Sequence, residues 1–538
     1  MPRSDILVAI AMVAGAVLYR LPVALYSVIN TDESLYLLIG EQFAHGMLPY
    51  TGLWDRKPFG LFALFAVFAA APFDGVVASR VGASIAVGVT AWLLVPIARR
   101  LFVADGTRIG IVAGIALILS SPANGGWPSN AELFHTAFAV AGLAAALRGF
   151  ADPERPSLGW IVLAGLCLGV GIQIKTTVVF DLLAFGPGFL LLTTPALAAL
   201  PRHVLHSLRP LALLGVTILL PTLLVLVLYL AAGQFDAWLQ ANVTAVGYTP
   251  EDYVGRTFGP SDLIMRVYEQ APVWAASVLA LVLAHRLIDR SDEARSIAFL
   301  ALWFAAVMLG QIVLRMGFDH YFLQFLPPLG LLTGVVLVRG LEPCIAEGRA
   351  RVVVLVLLAG LTGYAMAGKA WMNALFTVRE RLDGVAWSGD IPRQIAGDLN
   401  PVLQQGDGVY VFDHEPILYY LTGTPPPSRF AMPNFLLVTD SYGMIDGSEE
   451  IRRILDACPR FIVARAEAHD AASPTQAKPE ALAMLQARLA DGYVQRGLYE
   501  RNWRDFVLPL QALSGAAIPA VVYERTAKGA CQALPVVE

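Results

Sequence analysis

Residues 31–58 read TDESLYLLIGEQFAHGMLPYTGLWDRKP, a polar and aromatic stretch that separates two apolar runs of different length. The preceding run, residues 5–29, is long enough to cross a hydrocarbon core of about 30 Å. It lacks the small-residue cleavage site of a signal peptide, so we interpret it as a retained transmembrane helix. The following run, residues 58–72, has only about 15 residues, which fits an interfacial or re-entrant helix better than a crossing.

Further apolar runs of about 17–24 residues follow, each of the length that a transmembrane helix requires. They cover residues 77–98, 107–123, 131–149, 158–174, 176–199, 208–232, 269–287, 295–314, 320–339 and 350–370. Together with the first run they predict about eleven transmembrane helices in a membrane module of residues 1–375.

The positions of the arginines test the predicted number of transmembrane helices. If the N-terminus is cytoplasmic, every basic loop lies on the cytoplasmic side, as the positive-inside rule requires. These loops carry Arg99/Arg100/Arg108, Arg148/Arg155, Arg202/Arg209, Arg286/Arg290/Arg295 and Arg339/Arg349/Arg351. Counting residues 58–72 as a crossing would place all five groups outside. We therefore predict that residues 31–58 form an outer loop and that the chain beyond residue 376 is extracytoplasmic.

The composition agrees with a protein embedded in a lipid bilayer. Of the 538 residues, 57% are hydrophobic and 15% are charged, and the mean hydropathy is +0.61. An ordinary soluble domain carries about 25% charged residues, so a purely cytosolic enzyme and a disordered scaffold are excluded. The net charge of −4, with no basic stripe, excludes nucleic acid as a partner.

Residues 376–538 have the composition of an ordinary soluble domain. Alternating stretches over 408–412 and 461–464 predict strands, and residues 477–491 predict a helix, so we expect a small α/β domain. The tripeptide Asp413-His414-Glu415 marks either a binding site or an ordinary loop at a strand end. Cys458 and Cys531 are able to pair if this region is extracytoplasmic, whereas the four widely spaced cysteines exclude a zinc knuckle.

The first outer loop begins with two carboxylates, Asp32 and Glu33. Residues 33–43 predict an amphipathic helix on the membrane surface, with Leu35, Leu38, Ile39 and Phe43 facing lipid. Thr31 or Asp32 is expected to cap this helix. The carboxylate pair is either a cap that complements the helix dipole or a pair of catalytic groups.

Two further outer loops carry ionisable and aromatic residues. Residues 124–134 read NGGWPSNAELF and place Glu132 at the start of the fourth span, whereas residues 315–328 read RMGFDHYFLQFLPP. The second loop contains Arg315, Asp319, His320 and Tyr321. Interfacial aromatic residues are often membrane anchors, and a single histidine is often a satisfied polar group. Both interpretations stay open beside a functional one.

The cations on the predicted outer face, against the positive-inside bias, include Arg56, Lys57, Lys175 and Arg315. They either snorkel to lipid headgroups or bind an anionic group such as a lipid-linked phosphate. A sugar on a polyprenyl phosphate is already activated, because cations stabilise the departing phosphate. A carboxylate then deprotonates the acceptor hydroxyl or amine. This chemistry needs no nucleotide, and the sequence has neither a Walker motif nor a GxGxxG in a strand–helix context.

The order of these motifs resembles the order in a known family. The motifs are Asp32-Glu33, Gly46-x-x-Pro49-Tyr50, Lys57-Pro58, Arg80, Asn130-Ala131-Glu132, Lys175 and His320-Tyr321 before Leu-Pro-Pro. This order resembles the GT-C superfamily of polyprenyl-phosphate-sugar glycosyltransferases, in particular the bacterial protein O-mannosyltransferase-like and aminoarabinose-transferase-like enzymes. The resemblance spans roughly residues 1–345, and it implies a GT-C fold and an inverting hexosyl- or pentosyltransferase in a bacterial inner membrane.

The resemblance also implies roles for individual residues. Asp32 would be the base or position the acceptor, with Glu33 beside it, and Glu132 would be a second acidic residue. Lys57 would hold the donor phosphate together with Arg56. Lys175, His320 and Tyr321 would contact the donor. Arg315 is added to this set because it is a cation on the predicted outer face. Relatives usually follow the equivalent of Lys175 with Gly-Pro, whereas Thr176-Thr177 follows it here. A divalent cation near Asp32 and Glu132 is left open, because only some relatives place one there.

Two other classes of function share some of these features. A transporter or flippase of polyprenyl-linked sugars also has many spans and cations near headgroups, but it usually holds ionisable residues near the bilayer midplane. A non-catalytic assembly or receptor protein would use residues 376–538 for binding. The leading hypothesis is a transferase whose partners are a polyprenyl-phosphate sugar, an extracytoplasmic acceptor and the bilayer.

Overall fold

The computed structural model describes most of the chain. The described residues are 3–152, 155–193, 200–245, 259–287, 291–314, 318–344, 348–382, 390–466, 477–500 and 518–526.

The first part of the chain is helical. Its helices are α1 (Arg3–Arg20), α2 (Thr31–Ala44), α3 (Phe59–Ala69), α4 (Gly75–Leu101), α5 (Gly106–Ser120), α6 (Ala131–Gly149), α7 (Leu158–Ile174), α8 (Val178–Thr193), α9 (Leu200–Ala231), α10 (Phe235–Leu239), α11 (Pro260–Glu269), α12 (Ala271–Val282), α13 (Ala284–Leu287), α14 (Ser291–Leu314), α15 (Leu326–Val335) and α16 (Arg349–Leu382). Short 3₁₀ turns cover Leu21–Leu25 and Asp319–Phe325, and π-helical turns cover Gln240–Thr244 and Val336–Leu341.

Each of the eleven apolar runs contains a helix, which confirms the predicted polytopic helical fold. Among the described residues, five helical stretches are long and apolar enough to cross a membrane. They are Arg3–Ala24, Gly75–Leu101, Ser207–Ala231, Glu293–Leu314 and Asp319–Leu341. Helix α3 has 11 residues, about 16 Å at 1.5 Å per residue, so it is too short to cross, as predicted.

Glycines bring the helices of the bundle close together. A Cβ on Gly88 of α4 would lie 2.5 Å from the Cα of Val13, and one on Gly110 of α5 would lie 2.5 Å from the Cα of Val95. Helices pack this closely in membranes through small residues, since lipid supplies little hydrophobic drive for association. The sequence of α1, α4 and α5 therefore fixes a tight three-helix contact beneath the first outer loop.

Helix α2 differs from its prediction in two ways. Leu35, Leu38 and Ile39 are buried within the protein, so the prediction that they face lipid is wrong. They pack inward because α3 and the C-terminal domain cover α2. The N-cap is Asn30, whose side chain accepts from the backbone N–H of Asp32, rather than Thr31 or Asp32 itself.

The C-terminal domain is the predicted small α/β domain. Its strands are β1 (Val409–Phe412), β2 (Phe461–Arg465), β3 (Tyr493–Tyr499) and β4 (Ala520–Arg525), in the order β1-β2-β4-β3. Strands β1 and β2 are parallel, and the other pairs are antiparallel. The helices are α17 (Ile391–Leu399), α18 (Ile417–Thr422), α19 (Pro433–Leu437), α20 (Asp440–Gly443), α21 (Gly447–Asp456) and α22 (Pro479–Ala490). Helix α16 runs through the predicted domain boundary at residue 376, which stays a prediction.

Trp54 docks the C-terminal domain onto the first outer loop. This side chain is fully buried between Phe430 and Phe435, with ring centroids 5.6 and 5.4 Å away, and its backbone N–H donates to the carbonyl of Arg429. At the other end of the contact, Arg393 lies 2.8 Å from Asp74. The domain therefore covers the loop that carries the predicted site residues.

Candidate functional site

The turn before α2 holds the two carboxylates in different surroundings. Glu33 is buried, and its carboxylate lies 2.6 Å from the guanidinium of Arg80. It also accepts from the backbone and hydroxyl of Ser129 at 3.0 Å and from the backbone N–H of Ile29 at 2.7 Å. Both oxygens of Glu33 are therefore engaged, which is the pattern of a structural anchor rather than of a proton acceptor.

Asp32 points to the opposite side, where it is partly exposed. Its Oδ2 accepts from the hydroxyl of Tyr36 at 3.1 Å and lies 3.8 Å from Nζ of Lys57. Among the described residues, no group donates a hydrogen bond to Oδ1. The side chains of Asp32 and Lys57 are 24% and 20% exposed, so a substrate is able to reach both. Asp32 thus offers an oxygen for a proton beside a cation for an anion.

Asp55 is a third carboxylate at this position, and it is not among the site residues predicted from the sequence. It is buried, and its Oδ1 accepts from the backbone N–H of Arg56 at 2.6 Å. Burial raises its pKa, and Lys57 opposes that effect. The segment WDRKP has an acid two residues before the lysine, which could have indicated a site residue. The prediction selected only the two cations of this segment.

Lys175 belongs to a second group of site residues. It follows the last residue of α7, and its ammonium forms an ion pair with Glu132 in the first turn of α6. The ammonium also lies 3.7 Å from the ring centroid of Tyr321, and Nε2 of His320 lies 3.7 Å from Glu132. Glu132 therefore contacts groups from two other segments, Lys175 after α7 and His320 in the 3₁₀ turn.

The two groups form one electrostatic site. Burial alone would raise the pKa of Asp32, but Lys57, then His320 and Lys175, hold it below its usual value. At neutral pH Asp32 is therefore a carboxylate that Lys57 above all stabilises, in a site that also holds the carboxyl groups of Asp55 and Glu132. Such a site is suited to an anionic ligand that brings its own reacting group next to the carboxylate.

Arg56, Arg315 and a divalent cation are the remaining predictions for the site. Arg56 is partly buried next to Asp55 in the same loop. Arg315 lies outside the described residues. For a divalent cation, Asp32 and Glu132 are each paired with a lysine, and the described residues contain no group of three metal-ligating side chains. This donor set does not fit a bound metal ion.

Glu415 reaches the site from the C-terminal domain. It follows β1 and is buried, and its Oε1 accepts from the hydroxyl of Thr31 at 3.1 Å. The neighbouring His414 is also buried, and its Nε2 lies 2.9 Å from the carbonyl of Ile518. The tripeptide Asp413-His414-Glu415 stands out in the sequence, but nothing in the local sequence indicates that it lies beside α2.

The buried pair His414 and Glu415 predicts two opposite effects of pH on stability. Burial raises the pKa of Glu415 to about 7 from 4.5, so the folded chain binds the extra proton and loses stability as pH rises through this window. Burial lowers the pKa of His414 to about 4 from 6.5, so stability rises with pH in that window. The Tm of Glu415→Gln relative to wild type should therefore increase between pH 5 and 7. The Tm difference for His414→Gln should decrease over the same range, and a flat difference in both would contradict these pKa shifts.

Comparison with known proteins identifies solved structures with a similar fold. No family model matches the chain, and no curated protein matches it significantly. Among solved structures, ArnT from Cupriavidus metallidurans bound to undecaprenyl phosphate is similar, with a TM-score of 0.61 and 16% identity, over 99% of this chain and 100% of that one. The arabinofuranosyltransferase AftD from Mycobacteria is also similar, with a TM-score of 0.55 and 14% identity, over 97% of this chain and 40% of that one. The chain therefore has the fold of these transferases, the GT-C fold that its sequence resemblance implies.

Proposed function

We propose that the protein is an integral-membrane glycosyltransferase that moves a sugar from a polyprenyl phosphate to an extracytoplasmic acceptor. The observation that carries this proposal is the partly exposed Asp32 carboxylate, 3.8 Å from Lys57 and within the field of Lys175. A base and cations for a phosphate leaving group are the parts that this transfer requires. The similarity to ArnT bound to undecaprenyl phosphate supports a lipid-linked donor.

The site is proposed to face the periplasm of a bacterial inner membrane, with the N-terminus in the cytoplasm. All five arginine-rich loops fall on one side in this arrangement, and the site falls on the other. Cys458 is disulfide-bonded, which favours an oxidising compartment for the C-terminal domain. Cys531, its expected partner, lies outside the described residues. Residues 1–375 form the catalytic membrane module in this proposal, and residues 376–538 form the periplasmic domain.

The proposed reaction is a direct displacement at the anomeric carbon. Asp32 accepts the proton of the acceptor hydroxyl or amine through its Oδ1. The freed electron pair forms the new bond to the anomeric carbon as the carbon–oxygen bond to the phosphate breaks. The polyprenyl phosphate leaves with the bonding electrons, and Lys57 stabilises the added charge. Attack opposite the leaving phosphate inverts the configuration of the sugar.

The remaining residues support the donor in this proposal. Lys175 contacts the phosphate while Glu132 holds its ammonium, and Tyr321 presents a ring to the same ammonium. His320 and Tyr321 flank the head group. Arg56 and Arg315 add positive charge for the phosphate.

Glu33 has no part in the chemistry, because Arg80 and Ser129 already occupy its oxygens.

The test is a transfer assay with the purified chain in lipid nanodiscs. A panel of polyprenyl-phosphate sugars is combined with a membrane acceptor fraction, and donor consumption is followed for wild type and for Asp32→Asn. We expect one donor to be consumed by wild type only. No turnover with any donor, together with accelerated transbilayer movement of labelled polyprenyl lipid in proteoliposomes, would replace the transferase with a flippase.

Lys57→Met is expected to weaken use of the donor by about 10- to 150-fold in kcat/KM. A hydrogen bond to a charged group contributes about 1.5–3 kcal/mol, which converts to this factor. The matched control is Lys478→Met, which removes the lysine of the Lys478–Asp440 pair in the C-terminal domain. The control should transfer sugar at the wild-type rate. Equal kcat/KM for wild type and Lys57→Met would remove Lys57 from the donor site.

A further inference from the structure

Glu415 is a buried carboxyl group placed where two parts of the chain meet. It is 3% exposed, and Oε1 accepts from the hydroxyl of Thr31. Its Oε2 is buried without a hydrogen-bond partner in the described structure. A buried carboxyl group with one unsatisfied oxygen costs free energy, so a role in stability alone explains it poorly.

The turn that carries Asp32 has two anchors inside the membrane module. The side chain of Asn30 accepts from the backbone N–H of Asp32 at 2.8 Å. Glu33 binds back to Ile29 and inward to Arg80. These contacts hold the residues on either side of Asp32, but the hydroxyl of Thr31 is held from the C-terminal domain, by Glu415.

Resting on the proposed transferase activity, we propose that Glu415 is a positioning residue that fixes the turn from Thr31 to Asp32, so that the C-terminal domain is part of the catalytic unit. The contact acts on the residue directly before the proposed base. A displacement of about 1 Å in a reacting group is enough to lower a rate by about 100-fold. The contact therefore acts on the chemical step rather than on the donor.

The surroundings of Glu415 show why a neutral side chain is sufficient for this role. Burial raises the pKa of Glu415 to about 7, with the hydroxyl of Thr31 and Arg465 opposing that rise and Glu33 and Asp32 adding to it. The group is therefore largely uncharged below neutral pH while it still accepts from Thr31. Glutamine presents the same acceptor oxygen, so Glu415→Gln should retain the contact.

Arg393 provides a control for simple docking. It joins the C-terminal domain to Asp74 at 2.8 Å, at the start of α4 rather than of α2. Arg393 also lies 3.4 Å from Asp390, which accepts from the backbone N–H of Ser27. Removing it loosens the same two parts of the chain while the Thr31–Glu415 contact stays in place. A positioning role and a docking role therefore predict different results for Glu415→Ala and Arg393→Ala.

The experiment compares Glu415→Ala, Glu415→Gln and Arg393→Ala in transfer assays of the full chain. For Glu415→Ala we expect kcat to fall by about 10- to 100-fold with an unchanged KM for the donor. Glu415→Gln and Arg393→Ala should stay within about 3-fold of wild type. Thr31→Val should lower kcat as Glu415→Ala does, and the double variant should be no worse than either single variant. Equal losses in Glu415→Ala and Arg393→Ala, or no loss in Glu415→Ala, would overturn the proposal.

A second measurement does not depend on the activity. Hydrogen–deuterium exchange over residues 30–36 should become faster in Glu415→Ala and stay at the wild-type rate in Arg393→Ala. Unchanged exchange in Glu415→Ala would overturn the positioning role even if transfer is observed. Absence of transfer in wild type, with faster exchange in Glu415→Ala, would overturn the proposed function and leave a contact that orders the turn without serving catalysis.

Discussion

Asp32→Asn is expected to lower kcat for sugar transfer by about 10²- to 10⁴-fold, the range that a general base contributes. The amide has the shape of the carboxylate and still accepts from the hydroxyl of Tyr36, so the turn should keep its geometry. It has no basic oxygen for the acceptor proton. The pair with Lys57 is partly exposed, and such pairs contribute about 1 kcal/mol or less to stability. The variant should therefore lose turnover while it melts close to the wild-type temperature.

The control for Asp32→Asn is the same substitution at Asp440. Asp440 also pairs with a lysine and is partly exposed, but it lies in the C-terminal domain away from the site. Initial rates at saturating donor should be unaffected by Asp440→Asn. If Asp32→Asn transfers sugar at the wild-type rate, then Asp32 is not the base, and Asp55 becomes the next candidate carboxylate in the loop.

Membrane helices were predictable because length and hydropathy act locally. Residues 131–149 and 158–174, for example, are helical over the bounds that the apolar runs indicated. The strands at Val409–Phe412 and Phe461–Arg465 were predictable for the same reason, since their apolar stretches are short and bounded by turns. In each case the residues that decide the structure are neighbours in the chain.

The partners of the site residues were less predictable because they are distant in sequence. Asp32 and Glu33 are adjacent, yet Glu33 is buried against Arg80 and Ser129 while Asp32 faces Lys57. A helical periodicity separates two adjacent residues by about 100° but does not say which side is covered. The covered side is decided by α3, α4 and the C-terminal domain, none of which the local sequence of α2 reveals.

The turn after Lys175 is held by a contact that is distant in sequence. The turn after Lys175 lacks the Gly-Pro of the resembling family, but the carbonyl of Thr177 accepts from the amide of Gln324 at 3.1 Å. Gln324 in turn donates to Asp181 at 2.6 Å. One side chain from the 3₁₀ turn Asp319–Phe325 thus holds the turn that follows Lys175. The sequence motif alone therefore does not predict whether Lys175 is held in the site.

Arg80→Met is expected to lower the free energy of unfolding by about 3–5 kcal/mol, the cost of leaving one member of a buried ion pair without its partner. The side chains of Arg80 and Glu33 are 1% and 5% exposed, so water cannot replace the lost guanidinium. The comparison is Lys57→Met, which removes the cation beside the adjacent, partly exposed Asp32. In the same detergent, the melting temperature should fall strongly in Arg80→Met and slightly in Lys57→Met. Donor use per folded molecule should instead fall more in Lys57→Met than in Arg80→Met. A wild-type melting temperature for Arg80→Met, combined with a loss of transfer, would return Glu33 to the catalytic residues, because its burial would then serve the chemistry rather than the fold.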